Sequence, residues 1–274
     1  MQLSEIVAAL TAAGIENPRF EASVLWESFS AAGDEALRGA VERRCTHYPL
    51  QYIVGEWDFY RETYEVSPDC LIPRADTETL VEAALRELRS NDAEILDLCT
   101  GSGCVAISVV ANSAGTTAVA VDLFEPTLQL AARNAKRNGV EGLIHFRQAD
   151  VLQPPPEEFC KKAADGVRFD AILSNPPYIC DDVVPTLQTE VQHEPKAALC
   201  GGADGLDFYR AILRYWQFLL APDGFFGFEI GYDQGEALKK LAAEQGFSCT
   251  VLQDLGGCDR VAILRRLAVR ESNA

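Results

Sequence analysis

The sequence predicts an α/β protein, a doubly wound sheet with a small helical domain ahead of it, and three observations carry that expectation. Leu3, Ile6, Val7 and Leu10 recur at helical spacing near the start of the chain. A short apolar run at 94–99 is followed by Thr100, Gly101, Ser102 and Gly103, and then by an apolar helical stretch from 104 to about 112. From about residue 76 onward strand and helix patterns alternate, as they do when crossover helices cover a parallel sheet.

Taken in order, the first helix is the one marked by Leu3 to Leu10. Asn17 and Pro18 form a cap and first-turn pair for a second helix that carries Phe20, Val24, Leu25 and Phe29 on its packed face. A third helix is expected over 34–44, and Pro49 opens one more short helical turn. Residues 57–66 alternate aromatic and polar side chains around Arg61 and Glu62, which is the pattern of a β-hairpin. These signals divide the chain into a helical domain at 1–53, a hairpin linker at 54–75 and a sheet domain at 76–270. Within the last, strands are expected at 94–99, 117–121, 144–147, 169–174 and 225–230, with a closing pair at 248–252 and 260–265 and a helix at 125–138. A polar tail at 270–274 is expected to fray.

The glycine turn has a specific use. Gly101 and Gly103 let the chain turn tightly while the first N–H groups of the following helix point at whatever binds there. The next strand ends at Asp122, about 20 residues beyond the glycines, where an acidic side chain can hold the two hydroxyls of a ribose. Gly101, Gly103 and Ala106 also fit the dinucleotide pattern, so the motif by itself admits a nicotinamide cofactor as well as S-adenosylmethionine.

The run Asn175-Pro176-Pro177-Tyr178 at the end of the fourth strand decides between them, together with the lack of a nearby His or Lys suited to hydride chemistry. Two prolines stiffen the backbone before any ligand arrives. The side-chain oxygen of Asn175 and the carbonyl of Pro176 can then each accept a hydrogen bond from a planar NH2 group, with Tyr178 stacked on it. An amide nitrogen is a poor nucleophile because its lone pair is delocalised, and fixing both hydrogens aims that lone pair at an electrophile without a strong base. Catalytic candidates are therefore Asn175, Pro176 and Tyr178, and substrate contacts are Asn175, Pro176, Pro177 and Tyr178. Cofactor contacts are expected at Cys99, Thr100, Gly101, Ser102, Gly103, Asp122, Asp150, Val151 and Asn175, because these positions end successive strands. Asp150 or its neighbouring backbone is placed to reach an adenine amino group.

Composition narrows the remaining classes. The chain is 48% apolar and 24% charged, ordinary for a globular protein, and its formal net charge is −17 with a pI near 4.6. The first 66 residues hold eleven acidic and five basic side chains, so both parts of the chain are acidic. A protein that grips duplex DNA through its phosphates needs a positive surface, so stable nucleic-acid binding is not expected. No span suited to a membrane and no leader pattern is read, and nine scattered cysteines without a Cys-x-x-Cys pair point to reduced thiols in a cytoplasm. Metal binding is not expected, and the chain is expected to act as a monomer. His193 is read as structural and not catalytic, and His47 and His145 carry still less signal.

Further short motifs run through the chain: Pro49-Leu50-Gln51-Tyr52-Ile53 with Gly55 and Phe59, Leu71-Ile72-Pro73-Arg74 with Asp76-Thr77-Glu78, Glu194-Pro195, Gly201-Gly202 with Asp204-Gly205-Leu206, Glu229-Ile230-Gly231 with Gln234-Gly235, and Asp259-Arg260. With these motifs the sequence resembles the bacterial release-factor glutamine methyltransferases over nearly its whole length. The resemblance implies a Rossmann-like S-adenosylmethionine-dependent methyltransferase domain and a helical domain that docks the substrate. It also implies methyl transfer to the glutamine side-chain amide of the Gly-Gly-Gln loop of class I peptide-chain release factors, leaving S-adenosylhomocysteine. Two positions depart from the family pattern: Ala75 where proline is usual, and Gln192-His193 where arginine commonly follows the valine. Alternatives are a glutamine methyltransferase acting on a large-subunit ribosomal protein and an adenine-N6 DNA methyltransferase. A haem-pathway oxidase, for which no flavin or haem motif is found, and a non-catalytic adaptor are weaker readings.

Overall fold

The computed structural model describes residues 1–89 and 92–267, so the tail expected to fray at 270–274 lies outside the described residues. The chain opens with four helices, α1 (Leu3–Ala12), α2 (Pro18–Phe29), α3 (Asp34–Cys45) and α4 (Leu50–Val54). Ile6, Leu10, Leu25, Leu37 and Val41 close on one another in a core of their own. Two details of α2 differ from expectation. Phe20 is 58% exposed instead of packed. The Asn17 side chain makes no cap bond; Pro18 at the first turn has no N–H to satisfy, and the N–H of Glu21 bonds the Asn17 backbone carbonyl at 3.1 Å.

A buried ion cluster ties these helices to the rest of the chain. Arg44, 4% exposed, donates to the carboxylates of both Glu21 and Glu190. His47 Nδ1 lies 2.9 Å from the same Glu190. His193 stands edge-on to Tyr48 with ring centroids 5.2 Å apart, a packing role as expected.

The hairpin follows as β1 (Glu56–Phe59) and β2 (Glu62–Glu65). It does more than join two parts. Next come α5 (Glu78–Glu87), β3 (Glu94–Leu98) and α6 (Cys104–Asn112), and Phe59 and Tyr64 of the hairpin are buried in the same apolar cluster as α5 and α6. The Tyr64 hydroxyl lies 2.7 Å from Ser108 Oγ, and the Glu62 carboxylate accepts from Ser108 Oγ and Asn112 Nδ2, each at 2.7 Å.

The remainder alternates: β4 (Thr117–Asp122), α7 (Glu125–Arg137), β5 (Ile144–Gln148), α8 (Glu157–Ala164), β6 (Phe169–Ser174), α9 (Asp207–Ala211), β7 (Leu220–Glu229), α10 (Gly235–Glu244), β8 (Phe247–Gln253) and β9 (Asp259–Arg266). Seven strands form one sheet in the order β5-β4-β3-β6-β7-β9-β8, and β9 runs antiparallel to both of its neighbours. Alternation along the strands builds a core on each face. Leu96, Leu98, Val121, Ile172 and Phe228 point to one cluster, and Ile95, Ala120, Ala171, Leu173 and Phe225 to the other. Phe228, fully buried, stabilises its layer by about 2 to 3 kcal/mol.

The order of strands fixes where a ligand can enter. From β3 the chain winds outward through β4 and β5, then returns to place β6 on the other side of β3. The connections at the carboxyl ends of β3 and β6 therefore leave in opposite directions and open a crevice between them.

Candidate active site

A cavity of about 340 Å³ occupies that crevice. Cys99, Thr100, Gly101 and Ser102 after β3, Asp122 at the end of β4, Asp150 and Val151 after β5, and Asn175 and Pro177 after β6 all line it. Three expected site residues do not. Gly103 lies behind the turn, at φ +83°, where an added Cβ would stand 2.8 Å from Ile107 Cδ1 and 3.2 Å from Ala131 Cβ, so it serves close helix packing. Pro176 and Tyr178 are also absent from the lining.

The glycine turn is held from behind by two acidic side chains. Asp97, 1% exposed, accepts the Thr100 hydroxyl at 2.6 Å and the Ala106 N–H at 3.3 Å. Burial pushes its carboxyl up to about 7, against the pull of those two hydrogen bonds. Asp122 accepts the Gly101 N–H at 3.0 Å through Oδ2 and the Phe124 N–H at 3.1 Å through Oδ1. Burial raises its pKa and the backbone hydrogen bonds lower it. Each carboxylate oxygen has two lone pairs, so both retain capacity for a hydroxyl donor. Cys99, at φ +60°, starts the turn in the left-handed region, a local strain of about 1 to 3 kcal/mol of the kind found at ligand sites.

On the opposite wall, Asn175 donates from Nδ2 to Thr77 Oγ1 at 3.1 Å. Its amide nitrogen is thereby used, and Oδ1 is the group it can offer to an N–H donor. Tyr178 faces away from the cavity, with its hydroxyl donating to Glu229 Oε1 at 3.1 Å and its carbonyl accepting from Gln234 Nε2 at 2.9 Å. Its ring packs against the buried cluster that includes Tyr209 and Phe228.

Other walls come from residues that sequence reasoning gave no site role: residues 69–74, Thr77, Leu123, Phe124, and Pro195 with Ala197, Ala198 and Cys200. Glu194 explains why the first and last of these come together. Buried to 4% exposure, it accepts the Ile72 N–H at 3.0 Å and pairs with Arg74. The motifs at 71–74 and 194–195 were visible in the sequence, but nothing in their local pattern shows that they touch.

The groups facing the cavity fit an adenosyl cofactor with a cationic centre: a buried carboxylate at the end of β4, a second acidic side chain after β5, and a strained glycine turn opening on the cavity. A family model described as "Methyltransferase small domain" matches residues 75–199. The release factor glutamine methyltransferase of Moorella thermoacetica is 37% identical to this chain over 283 aligned residues, covering 96% of this chain and 97% of that protein. The chain belongs to the release factor glutamine methyltransferase family. A further member, from Geobacter sulfurreducens, is 40% identical over 82% of this chain and 76% of its own length. Among solved structures, the hMettl16 catalytic domain in complex with MAT2A 3'UTR hairpin 6 matches with a TM-score of 0.58 at 15% identity, covering 85% of this chain and 82% of that one. A ribosomal protein L11 methylase from Lactobacillus delbrueckii subsp. bulgaricus matches with a TM-score of 0.50 at 19% identity, covering 74% and 84%. Likenesses at these identities establish the fold that the family shares with them, the Rossmann-like methyltransferase fold.

Proposed function

We propose that this chain transfers a methyl group from S-adenosylmethionine to the side-chain amide nitrogen of the glutamine in the Gly-Gly-Gln motif of class I peptide-chain release factors. The observation that carries the reading is the pairing of Asn175 with Thr77, which commits the Asn175 nitrogen and leaves its oxygen for the NH2 of an amide. The cofactor supplies an electrophilic methyl group on a sulfonium. Asp122 is assigned to the ribose hydroxyls, Asp150 and Val151 to the adenine, and the turn from Cys99 to Ser102 to the remainder of the nucleoside. Asn175 on the rigid Pro176-Pro177 turn would orient the glutamine NH2, whose nitrogen takes the methyl group as the methyl carbon–sulfur bond breaks to leave a neutral thioether and one N–H proton passes to solvent. The acidic lining, which includes Asp69 beside Asp122 and Asp150, suits a cationic donor more than a polyanion.

The test offers labelled S-adenosylmethionine with a class I release factor, a large-subunit ribosomal protein and duplex DNA in separate reactions. Label on the release factor alone is expected. Label on the ribosomal protein or on adenine in its place overturns the assignment.

The N-terminal helices are assigned to docking. A second cavity of about 690 Å³ lies between them and the segment around Glu190, with Phe20, Leu50 and Trp57 on its walls. Ile72 and Arg74 line both cavities, so the groove adjoins the proposed reaction site. Phe20→Ala is expected to raise KM for the intact release factor about tenfold, the loss of one aromatic anchor, and to leave a short Gly-Gly-Gln peptide unaffected. Equal effects on both substrates would remove α2 from docking. Among the described residues no helix is long and apolar enough to cross a membrane. The net charge of −17 counts against stable nucleic-acid binding; the chain is assigned to the cytoplasm as a monomer, and light scattering on the purified chain checks the monomer.

A further inference from the structure

Glu229 ends β7, the strand next to the one that delivers Asn175, and it is 2% exposed. It is not among the residues lining the cavity and stands behind its wall. Its Oε1 accepts the Tyr178 hydroxyl, but its buried Oε2 has no aligned hydrogen-bond partner among the described residues. A buried carboxylate oxygen left this way demands a donor. The Thr77 hydroxyl, 1% exposed, lies beside the carboxylate and favours its charged form. That same oxygen of Thr77 accepts from Asn175 Nδ2 at 3.1 Å.

We propose that Glu229 is a positioning residue for methyl transfer, fixing through Thr77 which end of the Asn175 amide faces the acceptor. This rests on the function proposed above. The reason is the count of protons. A hydroxyl has one proton, and an ionised carboxylate can only accept, so turning the Thr77 proton toward Glu229 leaves only lone pairs for Asn175. Asn175 must then present its NH2 to Thr77 and its oxygen to the site. Turned the other way, its NH2 would meet the NH2 of the incoming glutamine, donor against donor. An asparagine amide has nearly the same shape both ways round, so packing alone does not choose between them, and a charged neighbour does. Tyr178 holds the other oxygen of the same carboxylate, so both polar members of the 175–178 run are set by Glu229.

A glutamine at position 229 reverses the logic while keeping the volume, because its amide can donate to Thr77, whose proton is then free to turn toward Asn175. Glu229→Gln is expected to slow single-turnover methylation of release factor at least thirtyfold, with S-adenosylhomocysteine affinity and melting temperature close to those of the parent. Thr77→Val should give a similar loss, Thr77→Ser should restore the rate to within about threefold of the parent, and the double variant Glu229→Gln with Thr77→Val should be no slower than either single one.

The protonation state supplies a second readout. Burial pushes the Glu229 carboxyl up to about 7, with the Thr77 and Tyr178 hydroxyls and the positive Arg260 opposing that rise and Asp76 adding to it. Tyr209, which donates to the Glu229 backbone carbonyl, and the Cys104 thiol, itself pushed up to about 12, complete the titratable groups around it. Both stay neutral through this range. The parent rate should therefore rise as pH increases through about 7 and level off above it, and the part of that rise owed to Glu229 should vanish in Glu229→Gln. Asp97 titrates in the same range but is common to both proteins.

A readout on the free protein separates this inference from the function on which it rests. Hydrogen exchange of the Asn175 side-chain NH2, assigned by its absence in Asn175→Asp, is expected to be at least tenfold slower in the parent than in Glu229→Gln. Unchanged exchange and an unchanged rate in Glu229→Gln would overturn the inference, as would a Thr77→Ser variant no better than Thr77→Val. Absence of label on release factor with the parent itself would overturn the proposed function and leave the exchange result standing.

Discussion

Asn175→Ala is expected to slow the methyl-transfer step by roughly two to three orders of magnitude, the loss that follows removal of one preorganised polar group from an active site. The side chain is held at the cavity wall by Thr77, so its oxygen is placed before any acceptor arrives and costs no reorganisation during the reaction. Its loss removes the cavity-lining acceptor assigned to the glutamine NH2. Because Asn175 lines the same cavity as the glycine turn, cofactor affinity should also fall, by a smaller factor. Single-turnover assays at saturating release factor separate the two effects. The contrast with Tyr178 sharpens the test. Its hydroxyl contacts Glu229 and its ring is packed in the core, so Tyr178→Phe is expected to be mild and Tyr178→Ala severe. Parental turnover by Asn175→Ala, or equal damage from the two tyrosine variants, would sink these roles.

Asp122→Ala should weaken cofactor binding by about 1 to 3 kcal/mol, the range for charge-assisted hydrogen bonds lost from a buried site. The structure gives that loss two sources. Besides the ribose acceptor, the variant removes the group that holds the Gly101 and Phe124 N–H groups, and so frees both the glycine turn and the start of α7. Asp122→Asn keeps an acceptor for one of them and should fall between the parent and Asp122→Ala. Calorimetry with S-adenosylhomocysteine checks the order. Equal affinity in parent and Asp122→Ala would remove Asp122 from the site.

Much of the sheet was legible because strand signals are local. Residues 169–174 were read with the observed boundaries, and 117–121, 144–147 and 104–112 fell within one residue of theirs. Apolar runs bounded by turn residues leave little choice of conformation. The helical face of α2 was less legible: Phe20 has the spacing of a core residue, but α2 packs through Ala22 and Leu25, and Phe20 is left on the wall of the docking groove. The helix α8 was missed behind the prolines at 154–156, although Phe159 and Ala163 are buried beneath the sheet.

The sequence by itself determined the order of the strands along the chain, the glycine turn with its acidic partner, the stiff Asn-Pro-Pro-Tyr turn, and the family to which they point, since each is a short stretch whose chemistry depends on its neighbours along the chain. Tertiary structure decided which groups stand behind those motifs. Thr77 meets Asn175 across 98 residues of chain, Glu229 meets Tyr178 across 51, and Glu194 meets Ile72 across 122. No periodicity encodes such pairs. The parallel order of β3, β6 and β7 brings strand ends together, and burial there favours paired polar groups, although Glu229 Oε2 has no partner among the described residues.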